Sequence, residues 1–302
     1  MKAYGFTAFG GPENEAMLDL PVPSPGPGEL LVRVRAAGVN PGDWKLREGG
    51  YGDTVLPAAL GREVAGTVVG LGPGVDGFAI GDEVFGGTPG MVGGWAEQAL
   101  VLASFAAHRP EGVSPADAAG LPVAAGTAYD ALNGLDLAPG STLLVNGAGG
   151  GVGVVTLQLA RARGLVVIGT ASKGKHDLVA SYGAIPVEYG DGVAERIRTA
   201  APQGVDAVFD TVGGEALRAV AGVLSDTSRL ATIADRSLAA ELGGHGVERD
   251  RSTAVLSALA GLVADGALDP HVTEIRPLDE AGAALAIVEA GHTRGKVAIR
   301  VS

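Results

Sequence analysis

The segment Thr142–Gly153 carries the residues whose types and spacing point most directly to chemistry. An apolar run ends at Asn146, a cluster of glycines follows, and apolar residues then recur at helical spacing until Gly164. Glycines allow backbone amides to approach a pyrophosphate closely, and a helix N-terminus adds partial positive charge. Because the cluster lies between a predicted strand and a predicted helix, it predicts a dinucleotide site at Gly147, Gly150, Gly151, Val152 and Gly153. The G-x-x-G-x-x-G spacing is slightly irregular for such a site, and a tight turn without a ligand is the alternative interpretation.

The residues after the next predicted strand indicate which dinucleotide binds. An NAD-specific site places Asp or Glu about 20 residues beyond the glycines, where the carboxylate binds the ribose 2′-hydroxyl. Here no acid precedes Asp177, and Ser172, Lys173 and Lys175 offer a hydroxyl and two ammonium groups. These donors suit a 2′-phosphate, so the sequence predicts NADPH as the cofactor. Two solvated lysines in a surface loop are the alternative.

Two patterns of secondary structure divide the chain. The first third alternates short strands such as Leu30–Arg35 with turns, and a capping box at Ser114–Asp117 marks a change of pattern. Apolar strands then alternate with helices, which predicts an α/β fold with a doubly wound parallel sheet. The predicted strands are Thr142–Asn146, Leu165–Gly169, Pro186–Tyr189, Val205–Asp210 and Arg229–Ile233, and the predicted helices are Val152–Arg163, Lys175–Tyr182, Val193–Ala200, Gly214–Leu224 and Thr253–Ala264. The segment Gly243–Arg251 is assigned to no element.

Composition limits the classes of function. A length of 302 residues favours two domains, and a formal charge of −12 argues against a nucleic-acid or anionic membrane partner. The absence of cysteine removes disulfides and thiolate metal ligands. No secretory leader follows Met1, and the longest uncharged stretch, Leu137–Ala160, is interrupted by Pro139 and several glycines. We therefore expect a cytoplasmic protein with no membrane partner.

Further motifs, taken together and in order, resemble the zinc-free medium-chain dehydrogenases/reductases of the quinone oxidoreductase (zeta-crystallin-like) branch. They are Ala37–Lys45, Leu60–Gly66, Gly81–Val84, Gly94–Glu97, Gly126–Tyr129, the glycine cluster, Phe209–Gly214 and His292–Lys296. The resemblance implies a GroES-like β-barrel substrate domain formed by residues 1–117 with 251–302, and an inserted Rossmann domain at residues 118–250. It also implies direct hydride transfer from NADPH to a small quinone or enone, and a homodimer joined through an edge of the Rossmann sheet.

The same resemblance bears on metal binding. Zinc-dependent relatives hold a catalytic metal through two cysteines and one histidine, at positions that read here Asn40, Arg62 and Val123. A valine side chain has no donor atom, and an arginine repels a cation. We therefore predict that the protein binds no metal.

The resemblance also carries over individual cofactor contacts. Asn40 and Thr127 match residues near the nicotinamide and its ribose, and Tyr189 matches a residue that touches the 2′-phosphate. Gly213 lies on a loop that faces the cofactor, the strand end at Ile233 matches a backbone segment that binds the carboxamide, and Lys296 matches a position that closes over the cofactor. For Asn40 and Lys296, a turn residue and a surface lysine are the respective alternatives.

Tyr51 is the candidate proton donor and, with Asn40, the candidate catalytic residue. It lies eight residues after Asp43, the spacing at which related polyketide enoyl reductases carry a tyrosine implicated in proton delivery. Its glycine-rich loop is also typical of a lid or surface residue, and water is an alternative donor.

Two other functions stay open at this point. One is a trans-acting enoyl-thioester reductase, which would need a basic patch for its carrier, and the sequence has no lysine cluster of that kind. The other is a non-enzymatic structural or RNA-binding role, as some zeta-crystallin relatives have. The acidic composition argues against RNA.

Overall fold

The computed structural model describes residues 1–51, 54–291 and 293–302. Gly52, in the loop of the candidate proton donor, and His292, in the last family motif, lie outside the described residues. The strands, in chain order, are β1 (Lys2–Phe6), β2 (Glu15–Asp19), β3 (Glu29–Val39), β4 (Ala58–Ala59), β5 (Glu63–Leu71), β6 (Glu83–Gly87), β7 (Gln98–Leu102), β8 (Ala106–His108), β9 (Thr142–Asn146), β10 (Val166–Ala171), β11 (Ile185–Glu188), β12 (Ala207–Asp210), β13 (Leu230–Thr232), β14 (His245–Gly246), β15 (Val272–Pro277) and β16 (Lys296–Arg300).

The α-helices are α1 (Pro41–Arg47), α2 (Pro115–Ala119), α3 (Gly126–Leu135), α4 (Gly151–Ala162), α5 (His176–Ser181), α6 (Val193–Ala200), α7 (Gly214–Ala221), α8 (Arg236–Glu241), α9 (Thr253–Ala264) and α10 (Ala281–Glu289). Within the described chain, none of the helices combines the length and apolar character that a membrane span requires.

The chain forms two compact units. One contains Met1–Val123 together with Arg251–Ser302, and the other contains Ala124–Asp250. The first boundary therefore lies slightly later than the predicted one after residue 117. The capping box that suggested it begins α2, where the Ser114 hydroxyl accepts a hydrogen bond from the Asp117 amide at 3.1 Å, and this helix belongs to the first unit.

The unit Ala124–Asp250 is built on a parallel sheet. Its six strands lie in the order β11-β10-β9-β12-β13-β14, and every pair is parallel. The apolar strands are covered by helices, and Leu144, Ile168 and Val208 lie in a core with Leu217 of α7. The predicted doubly wound sheet is confirmed. The order reverses beside β9, so the crevice at the carboxyl ends of β9 and its neighbours is where this fold binds ligands.

Several predicted boundaries differ from the structure, because local turn chemistry decides where an element begins or ends. A 3₁₀ turn occupies Lys173–Lys175, so α5 begins later than the predicted Lys175, and α7 ends before Gly222 and not at Leu224. The unassigned segment Gly243–Arg251 contains β14, a two-residue strand at the sheet edge that is parallel to β13.

The unit formed by the two ends of the chain is mostly antiparallel. A seven-stranded sheet runs in the order β15-β16-β3-β5-β6-β8, with β7 also paired to β3, and a smaller sheet has the order β2-β1-β4. Trp95, Val64 and Ile299 are buried in its core. Because the last strand β16 pairs with β3, residues near the C-terminus lie beside the start of α1.

Helix α1, which follows the candidate residue Asn40, is anchored by a buried arginine. Arg47 is 1% exposed, and its guanidinium donates to Glu15 at 2.5 Å and to Glu289 of α10 at 2.9 Å. Its Nε also donates to the carbonyl of Gly10 at 3.0 Å. These bonds fix α1 to the rest of its unit and so hold the position of its first turn.

Candidate active site

The glycine loop between β9 and α4 has a backbone that only glycine can adopt at its critical positions. Gly147 has a φ of 89°, and a Cβ there would lie 2.3 Å from Oγ1 of Thr211. A Cβ on Gly153 would lie 2.4 Å from the carbonyl oxygen of Gly147. Gly150 is the N-cap of α4, and no side chain of the described residues caps the helix there. The first-turn amides of α4 are therefore arranged to bind an anion, as a pyrophosphate site requires.

The predicted 2′-phosphate residues lie at the carboxyl ends of β10 and β11. Ser172 is the N-cap of the 3₁₀ turn that contains Lys173 and Lys175. Lys173 is exposed, and the stem of Lys175 lies against the glycine loop, because a Cβ on Gly149 would be 2.6 Å from its Cδ. Tyr189 follows β11, and its side chain is 59% exposed. The fold thus brings the predicted donors to the same edge of the sheet as the glycine loop.

The loops after β12 and β13 complete this edge. Gly213 has a φ of 80°, and a Cβ there would lie 3.0 Å from Cβ of Asp235 and 3.2 Å from Cβ of Ala234. Ile233, directly after β13, is 37% exposed. The two loops therefore touch each other, and both predicted residues lie in them.

A buried chain of polar side chains runs beneath these loops. It consists of Thr170, Asn146, Asp210 and Thr232, one from each of β10, β9, β12 and β13, and each is at most 2% exposed. Oγ1 of Thr170 donates to Oδ1 of Asn146 at 2.7 Å, and Nδ2 of Asn146 donates to Oδ1 of Asp210 at 2.8 Å. Oγ1 of Thr232 donates to Oδ2 of Asp210 at 2.6 Å. Sequence reasoning missed these residues, although a polar residue at or near the end of each apolar strand was a usable signal.

Thr127 is held by an arginine that the sequence analysis did not single out. It is buried on α3, and its hydroxyl accepts from Arg249 at 2.5 Å. Arg249 also donates to Asp130 at 2.7 Å, and the amide of Asp250 donates to the same carboxylate at 3.1 Å. Burial raises the pKa of Asp130, and the bond from Arg249 opposes that rise. The segment left unassigned by the sequence therefore contains the residue that fixes Thr127.

In the other unit, Asn40 belongs to a buried ionic cluster. The ammonium of Lys296 donates to Oδ1 of Asn40 at 2.6 Å, to Oε1 of Glu63 at 2.6 Å and to the carbonyl of Val39 at 3.0 Å. Nδ2 of Asn40 donates to Oε1 of Glu63 at 2.7 Å. Because an ammonium only donates and a carboxylate only accepts, these neighbours fix the orientation of the Asn40 amide.

The position of Lys296 excludes the surface-lysine alternative. It is 3% exposed, and its three acceptors equal the number of hydrogens that an ammonium carries. The cofactor contact predicted for Lys296 stays a prediction, while its ammonium hydrogens are engaged inside its own unit. Lys296 therefore acts on Asn40 and Glu63 and is not a surface lysine.

The three positions that hold zinc in the zinc-dependent relatives surround the same cluster. The backbone amide of Val123 donates to Oε2 of Glu63 at 2.7 Å, and Nη2 of Arg62 donates to the carbonyl of Gly42 at 2.7 Å. Together with Asn40 they offer no soft or imidazole donor, and two cations, Lys296 and Arg62, lie within the cluster. This donor set does not fit a zinc ion.

Asp43 and Arg62 form an ion pair beside Asn40. Oδ2 of Asp43 accepts from the Asn40 amide at 2.7 Å, which closes the capping box of α1. Its Oδ1 lies 3.4 Å from Nε of Arg62, and neither atom has a hydrogen-bond partner among the described residues. Burial raises the pKa of Asp43 to about 6, although the charge of Arg62 acts in the opposite direction.

Tyr51 lies next to this pair. Its ring centroid is 5.0 Å from Cζ of Arg62, within the range of a cation–π contact, and its side chain is 51% exposed. The phenol is therefore positioned by a buried cation while it remains accessible.

Two family models match the chain. Residues 26–111 match the alcohol dehydrogenase GroES-like domain, and residues 182–299 match the zinc-binding dehydrogenase domain. The rat quinone oxidoreductase is 35% identical over 78% of this chain and 74% of its own length. The chain belongs to the medium-chain dehydrogenase/reductase family. Its fold, a GroES-like unit and a Rossmann-like unit, is the predicted one.

Other relatives differ in length and in name. The mouse synaptic vesicle membrane protein VAT-1 homolog is 38% identical over 69% of this chain and 52% of its own length. The tomato 2-methylene-furan-3-one reductase is 35% identical over 70% of this chain and 57% of its own length. The chain thus spans about half the length of several curated relatives that it matches.

Solved structures agree with the family. The quinone oxidoreductase of Coxiella burnetii is 31% identical, with a TM-score of 0.92 over 100% of this chain and 99% of that chain. The Escherichia coli quinone oxidoreductase in complex with NADPH is 25% identical, with a TM-score of 0.90 over the whole of both chains. The predicted quinone oxidoreductase branch is thereby confirmed.

Proposed function

We propose that this protein is a zinc-independent oxidoreductase that reduces a quinone or an α,β-unsaturated carbonyl compound with NADPH. The observation that carries the proposal is the contact between the Lys175 side chain and Gly149. It places the predicted 2′-phosphate residues beside the N-terminus of α4, which no side chain of the described residues caps. The named relatives support it, since they include quinone oxidoreductases, one in complex with NADPH, and an enone reductase.

Selection of NADPH over NADH follows from the residues after β10. Ser172, Lys173 and Lys175 provide donors for a phosphate, and the first acid beyond the glycines, Asp177, lies exposed on α5. Among the described residues, the end of β10 therefore has no carboxylate that could accept a hydrogen bond from a free ribose 2′-hydroxyl. A 2′-phosphate, in contrast, would find charge-assisted donors there.

The reaction requires one hydride and one proton. Bound NADPH supplies the hydride, which passes to the electrophilic carbon or quinone. Tyr51 is the proposed donor of the proton to the product oxygen or α-carbon, and the guanidinium of Arg62 against its ring positions the phenol. Asn40 keeps one N–H hydrogen of Nδ2 beyond its bond to Glu63, and this hydrogen is the proposed donor to a ribose or carbonyl oxygen.

The family likeness also supports an assignment of the two units. We assign the cofactor to Ala124–Asp250 and the substrate to the unit that contains the GroES-like domain. A cytoplasmic location and a homodimer remain predictions, and β14 is the candidate pairing strand because it lies at the edge of the parallel sheet.

The test is oxidation of NADPH and of NADH by the purified protein, followed across quinones, short enones and an enoyl thioester. We expect a kcat/KM at least tenfold higher with NADPH, and turnover of quinones or enones without added carrier. Equal kcat/KM values for the two cofactors would contradict the phosphate assignment, and turnover of the thioester alone would favour the enoyl-thioester reductase.

A further inference from the structure

The buried polar chain of the Rossmann-like unit follows the register of the sheet. Thr170 pairs with Asn146, Asn146 pairs with Asp210, and Asp210 pairs with Thr232. Register partners in a parallel sheet point to the same face, so the four side chains form one continuous row across β10, β9, β12 and β13. The row lies directly beneath the three loops that carry the proposed cofactor contacts.

One carboxylate determines the direction of every hydrogen bond on the first side of this row. Because the Asp210 carboxylate only accepts, Asn146 must turn its nitrogen towards Asp210 and its oxygen towards Thr170. The hydroxyl of Thr170 then donates to that oxygen, and its lone pairs face the amide of Gly147, which donates to Oγ1 at 3.0 Å. The first amide of the glycine loop is thus oriented from Asp210 through two intermediates.

Asp210 also determines the direction of the hydrogen bonds on the second side of the row. Thr232 donates its only hydroxyl hydrogen to Asp210, so its lone pairs are left to accept. They accept the amides of Ala234 at 3.0 Å and Asp235 at 3.3 Å. The loop after β13 is therefore also oriented from Asp210.

The loop after β12 is bound by Asp210 directly. The amide of Val212 donates to Oδ1 at 3.1 Å, and the amide of Gly213 donates to Oδ2 at 3.1 Å. Among the described residues, the side-chain hydrogen-bond donors to this carboxylate are the uncharged groups of Asn146 and Thr232. Removal of the Asp210 charge would allow the hydrogen bonds along the whole row to change direction, and not only those at one loop.

From this arrangement we propose that Asp210 is a positioning residue whose charge couples the two ends of the dinucleotide site. The coupled ends are the glycine loop, through Asn146 and Thr170, and the loop after β13, through Thr232. The proposal rests on the proposed NADPH site, and it adds that a change at one end alters the affinity at the other.

The first test is a double-mutant cycle with Thr170→Val and Thr232→Val, which keep the side-chain shape and remove the hydroxyls. Three strand spacings of about 4.8 Å separate these positions by roughly 14 Å, a distance at which the effects of two independent substitutions are expected to add. We expect each variant to weaken NADPH binding about tenfold, and the double variant about 30-fold, because the second break matters less in a row that is already broken. A loss equal to the product of the two, about 100-fold, would overturn the coupling.

A fragment of the cofactor provides a sharper readout. Adenosine 2′,5′-bisphosphate occupies only the half of the site formed by the glycine loop and the residues after β10. We expect Thr232→Val to weaken its binding at least threefold, although the hydrogen bonds of the Thr232 hydroxyl to described residues go to Asp210 and to the loop after β13. Unchanged affinity would assign Thr232 a local role. The matched control is Thr88→Val, a buried threonine of the other unit whose hydroxyl donates to the carbonyl of Gly61 at 3.3 Å.

Hydrogen exchange in the absence of cofactor separates the row from the proposed function. In Asp210→Asn, and in Thr232→Val if the former does not fold, we expect the Gly147 amide to exchange at least tenfold faster than in the wild type. Unchanged exchange in a folded variant would overturn the proposal. If the wild type binds no NADPH while this exchange is accelerated, the row stands and the proposed cofactor fails.

Discussion

Two buried carboxylates, one in each unit, have hydrogen-bond donors of different chemistry. In the Rossmann-like unit, one carboxylate, Asp210, is surrounded by neutral side-chain and backbone donors. In the GroES-like unit, Glu63 is paired with the ammonium of Lys296. The first arrangement uses no lysine, and the exposed Lys173 lies at the same sheet edge. The second engages its lysine internally, with Asn40 as one of the acceptors.

The largest expected effect comes from breaking the charged cluster. Glu63→Gln should destabilise the protein by about 3–5 kcal/mol, because it leaves the buried ammonium of Lys296 without a counter-charge. Asp210→Asn should cost about 1–3 kcal/mol, since it disturbs only neutral donors. Urea unfolding of both variants measures the difference directly.

The controls for this pair are a charge change at the surface and a compensated double variant. Glu215→Gln should change the free energy of unfolding by less than about 0.5 kcal/mol, because its side chain is 94% exposed. Glu63→Gln combined with Lys296→Met should recover part of the loss. If Glu63→Gln and Asp210→Asn cost the same, the distinction between the units is wrong.

The second prediction concerns proton transfer by Tyr51, which lies against Arg62 in the GroES-like unit. Tyr51→Phe keeps the ring against Arg62 and removes the proton, so kcat should fall about 100-fold, within the range of general acid catalysis, while the affinity for NADPH stays within twofold. The measurement is steady-state kinetics with an enone, combined with cofactor titration. An unchanged kcat would identify water as the proton donor.

A matched tyrosine exists in the other unit. Tyr129 lies with its ring centroid 5.6 Å from Cζ of Arg163, a contact of the same kind. Tyr129→Phe should therefore leave kcat within twofold. A similar fall in both variants would indicate an effect of the tyrosine–arginine contact on the fold and not on proton transfer.

The features that could be predicted from the sequence depend on local contacts, and those that could not depend on contacts between residues far apart in the chain. The glycine loop, the N-cap of α2 and the bounds of α6 and α9 were predicted from the sequence, because they depend on neighbours within a few residues. The burial of Lys296 was not, since its bond to Asn40 spans 256 residues. Asp210 and Thr232 were missed for a related reason, because only the register of the sheet brings them together.

The third prediction concerns the lysine that lies on the glycine loop. Lys175→Ala should weaken NADPH binding by about 1.5–3 kcal/mol, the scale of a hydrogen bond to a charged group, and should barely change NADH binding. Titration with both cofactors checks it. Lys2→Ala, which removes an exposed lysine paired with Asp19 at 2.8 Å, is the control and should change neither affinity. Equal losses for the two cofactors would assign Lys175 to the structure of the loop.

The smallest expected effect is a pH dependence that the carboxyl of Asp43, in the charged cluster, produces. Asp43 has a pKa raised to about 6 in the folded protein, mainly by burial, whereas an unfolded aspartate titrates near about 3.9. The folded state thus binds this proton more tightly, so the contribution of Asp43 to stability is greatest below the unfolded pKa and is lost as the pH rises through the folded pKa. Between about pH 5 and pH 7 the wild type should therefore lose about 1 kcal/mol relative to Asp43→Asn.

Urea unfolding of both proteins at the two pH values gives this difference. Asp43→Asn retains an oxygen that can accept from the Asn40 amide, so the capping box of α1 is kept and only the titration is removed. If the two proteins show the same change in stability between the two pH values, the carboxyl of Asp43 does not titrate in this range. Arg62 would then hold Asp43 ionised throughout, and the separation of 3.4 Å between their unpartnered atoms would have to close in solution to provide that stabilisation.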